Sequence, residues 1–277
     1  MLPVYISVDM EGLTGAVSSE QVIPGRRDYE RFRSIMAREV NAVVKGAFEA
    51  GAEGVLVNDS HDGMLNLRIE ELDERAELIS GYHKPLGMMQ GIGRDFSCAM
   101  FVAYHSMASG PGVLSHTMTG TLSRVYLNGM PASEGVINAA VAGHFGVPVA
   151  LVSGDEHAVA EVLSVCQGAV GVTVKRSIDR YSARSLSVRS AERELYSGAL
   201  KALSSLGSIA PFVLKGQPKL VVEFTQPSLA SKACTGGLCI RRDERTVEIE
   251  GVDPAELYTK FRAVVSLAST ARDPDYG

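Results

Sequence analysis

The sequence predicts an α/β fold, a mainly parallel or mixed sheet covered by helices on both faces, with a smaller C-terminal α+β subdomain. Three observations carry this prediction. Short, continuously apolar runs such as Val4–Val8 and Cys98–Tyr104 have the composition of strands buried on both faces. They alternate with segments whose apolar residues recur every three or four positions, the period of a helix with one buried face. Beyond about residue 190 the strands instead alternate apolar with polar residues, as a sheet with one wet face does. The expected division is a catalytic α/β domain over residues 1–190 and a smaller layer over 191–277.

Each element follows from its residues. Val4–Val8 is a strand that ends in Asp9-Met10-Glu11-Gly12, and a glycine-bearing loop follows. From Asp28, Phe32, Ile35, Met36, Val40, Val43, Val44 and Phe48 mark one helical face, which Gly51 stops. Gly54–Asn58 is a second buried strand, running into Asp59-Ser60-His61-Asp62-Gly63. Glu77–Gly81 reads as a short strand and Pro85–Gly93 as a short methionine-rich helix. Cys98–Tyr104 is the third buried strand, and His105 follows it directly. Asn128-Gly129 after Arg124–Leu127 signals a tight hairpin. Ser133-Glu134-Gly135 opens a helix that ends at Gly146, ahead of a strand (Pro148–Ser153), a helix (Asp155–Cys166) and another strand (Val170–Lys175). The tail holds a helix (Ala191–Leu206), alternating strands (Pro218–Phe224 and Arg245–Glu250), and a last helix announced by Asp253-Pro254-Ala255-Glu256.

The 277 residues are 45% hydrophobic, enough to build a full core. No run is long and apolar enough to span a membrane, and Asp9 and Glu11 interrupt the N-terminal region where a signal peptide needs an apolar stretch. The expected location is cytoplasmic. With 27 Lys plus Arg against 32 Asp plus Glu, a net charge of −5 argues against nucleic acid as a partner. Cys98 and Cys166 lie in apolar stretches and read as buried thiols; Cys234 and Cys239 read as inert, since two cysteines do not complete a tetrahedral zinc site.

The chemistry collects at strand ends. In a strand, residues two apart share a face, so Asp9 and Glu11 aim at one spot, where their repulsion calls for a cation or proton. His61 follows the second strand, His105 the third, and Glu134 sits in the first turn of a helix. Ligands of open α/β sheets bind beyond the carboxyl ends of the strands, so these groups are expected to share one crevice. Two imidazoles and three carboxylates suit Zn²⁺, Mn²⁺ or Co²⁺. One divalent ion among three carboxylates leaves a net charge of −1. Two leave +1, which a bridging hydroxide neutralises, so the charge count favours a dinuclear catalytic site.

Ser7-Val8-Asp9-Met10-Glu11-Gly12, Val57-Asn58-Asp59-Ser60-His61, Tyr104-His105, Ser115-His116-Thr117-Met118 and Ser133-Glu134-Gly135 together resemble the DppA-type D-aminopeptidases, peptidase family M55. The motifs run in order through about the first 180 residues and continue more loosely through Val222-Glu223-Phe224 to the last helix. The resemblance implies a zinc-dependent aminopeptidase acting on short peptides with an N-terminal D-residue, and two Zn²⁺ per subunit. It also implies a homodecamer of two stacked pentamers with the active sites facing an internal cavity. It places metal ligands on Asp9, Glu11, His61, His105 and Glu134, and a catalytic histidine on His116, which shuttles a proton, stabilises an oxyanion or acts as a nucleophile.

Other readings stand beside it. One is a dinuclear-metal amidohydrolase acting on L-peptides or other small amides. Another is a non-catalytic peptide-binding component of a dipeptide uptake system, which would not need the full ligand set or His116. Asn58 and Asp59 orient an imidazole or hold a turn. His83 is expected at the surface, His144 in a last helical turn, and His157 without a metal-spaced partner. Lys175 and Arg180 read as a solvated pair of charges, with binding of a substrate carboxylate as the alternative.

Overall fold

The computed structural model describes residues 3–271; residues 272–277 of the expected C-terminal layer lie outside the described residues. The chain opens with β1 (Val4–Val8), a one-turn α1 (Ser19–Val22), α2 (Tyr29–Glu49), β2 (Val55–Asp59), β3 (Ala76–Ile79) and β4 (Cys98–Tyr104). A hairpin of β5 (Leu122–Leu127) and β6 (Met130–Pro131) precedes α3 (Glu134–His144), β7 (Val149–Asp155) and α4 (Glu156–Val165). Then come β8 (Val170–Asp179), β9 (Ser182–Ser185), α5 (Val188–Ser204) and β10 (Lys219–Phe224). The last elements are α6 (Pro227–Cys234), β11 (Ile240–Arg241), β12 (Thr246–Glu250) and α7 (Pro254–Ala268).

Seven strands form the main sheet in the order β3-β2-β1-β4-β7-β8-β9, parallel except for the edge strand β9. The order reverses between β1 and β4, and that crevice is the ligand-binding position of such sheets. The period of two along β1 sorts its side chains. Val4, Ile6 and Val8 enter the core beneath α2 and α5, while Tyr5 enters a second core with α3, α7 and the other sheet.

That other sheet is antiparallel, in the order β11-β12-β10-β5-β6. The two layers interleave along the chain. β5 and β6, from within residues 1–190, complete the second sheet, and α5, which straddles residue 190, contributes Ala191, Leu195 and Ala199 to the first core. The hairpin joining β5 to β6 turns on Asn128 and Gly129, both at positive φ, as an Asn-Gly turn requires.

Three expectations need correction. Pro85–Gly93 is not a helix but a loop with a single 3₁₀ turn at Gly87–Met89. The strand expected to end at Lys175 continues to Asp179 and hairpins into β9. Lys175 is not solvated: its side chain is buried inside the domain. Cys98 and Cys166 are buried, and Cys234 and Cys239 are free thiols with sulfurs 3.4 Å apart. Among the described residues no helix is long and apolar enough to cross a membrane.

Candidate metal centre

Asp9 follows β1, His61 follows β2 and His105 follows β4, so three neighbouring parallel strands deliver one group each to the same crevice. The β1 and β4 ends are locked together by backbone hydrogen bonds from Asp9 N to Val102 O (2.9 Å) and from Gly12 N to Ala103 O (2.8 Å). The approach is possible because residue 12 is glycine: a Cβ there would stand 2.2 Å from the Ala103 carbonyl carbon. Ala103 has φ +59, a conformation costly for an L side chain, just where the β4–β7 pairing loses register and the chain turns His105 into the site. Glu134 arrives from the first turn of α3, whose N-cap Ser133 accepts a hydrogen bond from Val136 N.

The three imidazoles share one arrangement. Each turns one ring nitrogen to a backbone carbonyl and the other to carboxylates. His61 Nε2 lies 2.7 Å from Val22 O, His105 Nδ1 3.0 Å from Ser106 O, and His116 Nδ1 2.9 Å from Leu114 O. A carbonyl only accepts, so each of these nitrogens carries a proton and the opposite ones are the positions left to face a metal. His61 Nδ1 is 2.9 Å from Glu11 Oε2 and 3.2 Å from Asp9 Oδ1. His105 Nε2 is 3.4 Å from Asp9 Oδ2 and 3.2 Å from Glu134 Oε1. Asp9 thus turns one oxygen to each histidine. His116 stacks on His105 at 4.0 Å between ring centroids, with its Nε2 3.8 Å from Glu134 Oε1. Glu134 Oε1 is held in turn by Met118 N at 2.7 Å.

Potential ligand atoms fall into two groups, Asp9–Glu11–His61 and His105–His116–Glu134, each with its atoms within 4.8 Å of one another. The electrostatics are those of concentrated buried negative charge. Burial and the charge of Glu11 push the Asp9 carboxyl up to about 7. Burial works against the charged form of His105, but Glu134 and Asp9 outweigh it and lift the imidazole to about 10. His61 is raised likewise by Glu11 and Asp9 against the effect of burial, whereas burial and the neighbouring His105 lower His116.

The donor set fits zinc, which takes imidazole nitrogen and carboxylate oxygen. A specific sign is Glu11 Oε2, which is buried with His61 Nδ1 at 2.9 Å but without a well-aligned hydrogen bond from it. An unmet buried carboxylate oxygen is costly unless a cation faces it.

All six residues chosen from the sequence line one cavity of about 690 Å³. Comparison with known proteins decides the family, since the profile of the D-aminopeptidases, peptidase family M55, matches residues 2–263. The chain belongs to the D-aminopeptidase family. A D-aminopeptidase of Bacillus subtilis (strain 168) is 37% identical over 268 residues, covering 96% of this chain and 98% of its own. Among solved structures, the Zn-dependent D-aminopeptidase DppA from Bacillus subtilis, a self-compartmentalizing protease, superposes with a TM-score of 0.95. The identity there is 36%, over 97% of this chain and 98% of that one.

Around the site, this D-aminopeptidase family member carries supports that the sequence did not disclose. Asp59 orients no imidazole directly. It accepts from Asn66 N, Asn66 Nδ2 and Leu67 N, and Asn66 Nδ2 also donates to His61 O, so Asp59 shapes the loop that bears His61. Asn58 accepts from Lys84 Nζ at 2.8 Å. Lys175 donates to Glu11 O and Ala16 O, pinning the loop after β1 from below, and burial lowers its ammonium to about 8. Glu39 accepts from Thr14 N of the same loop at 2.9 Å. Neither could be found from local spacing. A charged residue among apolar neighbours of its element, Lys175 after Val172 and Val174 in the strand or Glu39 between Met36 and Val43 on the helix, was the available signal. Arg180 lies beside the Ser115–His116 turn, with its Nη1 3.3 Å from Ser115 Oγ.

Proposed function

We propose that this chain is a zinc-dependent aminopeptidase that releases the N-terminal D-amino acid of short peptides, with two zinc ions per subunit. One observation carries the reading: two ligand groups share one cavity, with the oxygens of Asp9 turned to a histidine of each. Asp9, Glu11 and His61 would hold one ion, and His105, Glu134 and the other Asp9 oxygen the second, so that Asp9 would serve both. Zinc bound there supplies Lewis-acid polarisation of the scissile carbonyl and acidifies water.

The remaining work falls to the protein. His116 is the most exposed of its group, its side chain 22% accessible against 1% for His105 and 7% for Glu134, and it faces the cavity. With Nδ1–H donated to Leu114 O, its Nε2 takes a proton from the attacking water and returns one to the departing amine. Its lowered pKa keeps that nitrogen unprotonated near neutral pH. Glu134, fixed by Met118 N, favours the transient imidazolium.

Assembly into a homodecamer and a cytoplasmic setting belong to the same reading. Exposed Ile178 and Tyr181 near the β8–β9 turn, 72% and 65% accessible, suit contact with another copy, and the four free cysteines suit a reducing compartment. Light scattering should give ten times the 29.5 kDa chain mass. The site itself is tested by elemental analysis after dialysis. Two zinc ions per wild-type chain and at most one in Asp9→Asn support a bridging Asp9; equal zinc in both proteins contradicts it.

A further inference from the structure

We infer that Arg262 binds the C-terminal carboxylate of the peptide substrate, so that the enzyme selects di- and tripeptides with a free C-terminus. The inference rests on the aminopeptidase reading and extends it to the far end of the substrate. Among the described residues lining the metal-site cavity, Arg262 is the one lysine or arginine. It projects from α7 with Val265 and Ser266, three and four residues on, so a single face of this helix closes the side of the cavity.

Its guanidinium is anchored but not neutralised. Nη1 donates to Lys84 O, and among the described residues Arg262 makes no ion pair with a carboxylate. The stem lies over Gly87, where a Cβ would come within 2.9 Å of Arg262 Nε, so the glycine makes room for it. Tyr82 flanks the group, its ring centroid 5.9 Å from Cζ.

A short peptide carries an ammonium at one end and a carboxylate at the other. The metal-site residues Asp9, Glu11 and Glu134 fix the end of the cavity where the scissile bond sits, and a guanidinium elsewhere on its wall is left for the carboxylate. An extended dipeptide spans only about 7 Å, so its carboxylate stays within a cavity of this size. A planar guanidinium with free N–H donors is the group best suited to receive it. Arg180, the other late-strand cation considered from the sequence, does not line this cavity.

The test compares a dipeptide bearing N-terminal D-alanine as its free acid and as its C-terminal amide, in wild type, Arg262→Met and Arg262→Lys. Hydrolysis gives kcat/KM; calorimetric titration of the zinc-loaded enzyme with the same acid and amide, their scissile bond reduced to CH2–NH, gives binding without turnover. Wild type is expected to favour the acid by about tenfold or more, Arg262→Met to bring the acid-to-amide ratio to within about threefold of unity, and Arg262→Lys to retain part of the preference. No acid preference in wild type, or an unchanged ratio in a folded Arg262→Met, overturns the assignment. D-alanine p-nitroanilide, which has no carboxylate, is run on the wild type alongside. If neither it nor the dipeptide acid is cleaved, the aminopeptidase reading fails, while the binding ratio still decides Arg262.

Discussion

Gly12→Ala should damage this protein at the point where its two central strands meet. A Cβ at residue 12 would lie 2.2 Å from both the Ala103 carbonyl carbon and Tyr104 O, and 2.3 Å from Ala103 O. These are backbone atoms of a buried strand, so no side-chain rotation relieves the clash. Overpacking of this kind costs about 1–3 kcal/mol. Separating the strands also weakens the 2.8 Å hydrogen bond from Gly12 N to Ala103 O, a loss of about 1 kcal/mol. The total of about 2–4 kcal/mol corresponds to a fall in Tm of roughly 3–7 °C for a chain of this length. The displacement moves Glu11 against His105, so zinc retention should fall as well. Gly15→Ala is the control: at φ +77 with no atom nearer than 3.9 Å it meets only conformational strain, about 1 kcal/mol. Calorimetry and zinc analysis on both variants decide the matter. Gly12→Ala with wild-type Tm and full zinc would refute the claim that close backbone contact between β1 and β4 holds the site.

Three further outcomes follow from the geometry. His116→Ala should keep wild-type zinc content and lose at least about 100-fold in kcat, the usual worth of a general acid–base; loss of zinc with activity would make His116 a ligand. Glu39, away from the site ligands, is pushed by burial to about 7, above its ordinary 4.5, so between pH 4.5 and 7 the folded chain binds a proton that the unfolded chain does not. That contribution is full below 4.5 and lost as pH rises through 7, so Glu39→Gln should gain up to about 3 kcal/mol on wild type between pH 5 and 7 in urea unfolding. A difference that does not change with pH would contradict it. Lys175→Met should lower zinc affinity by releasing Glu11 O and Ala16 O, measurable by competition with a chromophoric chelator; unchanged affinity would mean the lysine does not position the Glu11 loop.

Much of the fold was legible because its signals are local. The apolar runs of β1, β2 and β4, the spacing along α2, and the caps at Ser133 and Asp253 each identify an element without knowledge of its neighbours. The site was legible for a related reason: in a parallel sheet, residues just past the strands gather at one edge, so Asp9, His61 and His105 could be brought together before any distance was known. What escaped depends on packing. The segment Pro85–Gly93 has helix-forming residues but is bent around the Arg262 stem and the Tyr258 hydroxyl, leaving one 3₁₀ turn. The eight-residue α6 is too short for periodicity to announce. Lys175 looked solvated because its two carbonyl acceptors are more than 150 residues away in the chain. The pairing of β10 with β5 crosses residue 190 for the same reason, since strand partners are chosen in three dimensions.

The most direct measurement is hydrolysis of D-alanine and L-alanine p-nitroanilides by the zinc-loaded protein, the chelated protein, and the chelated protein with zinc restored. The account predicts release from the D substrate alone, abolished by chelation and recovered with zinc. Equal release from the L substrate, or release that survives complete removal of zinc, would contradict it.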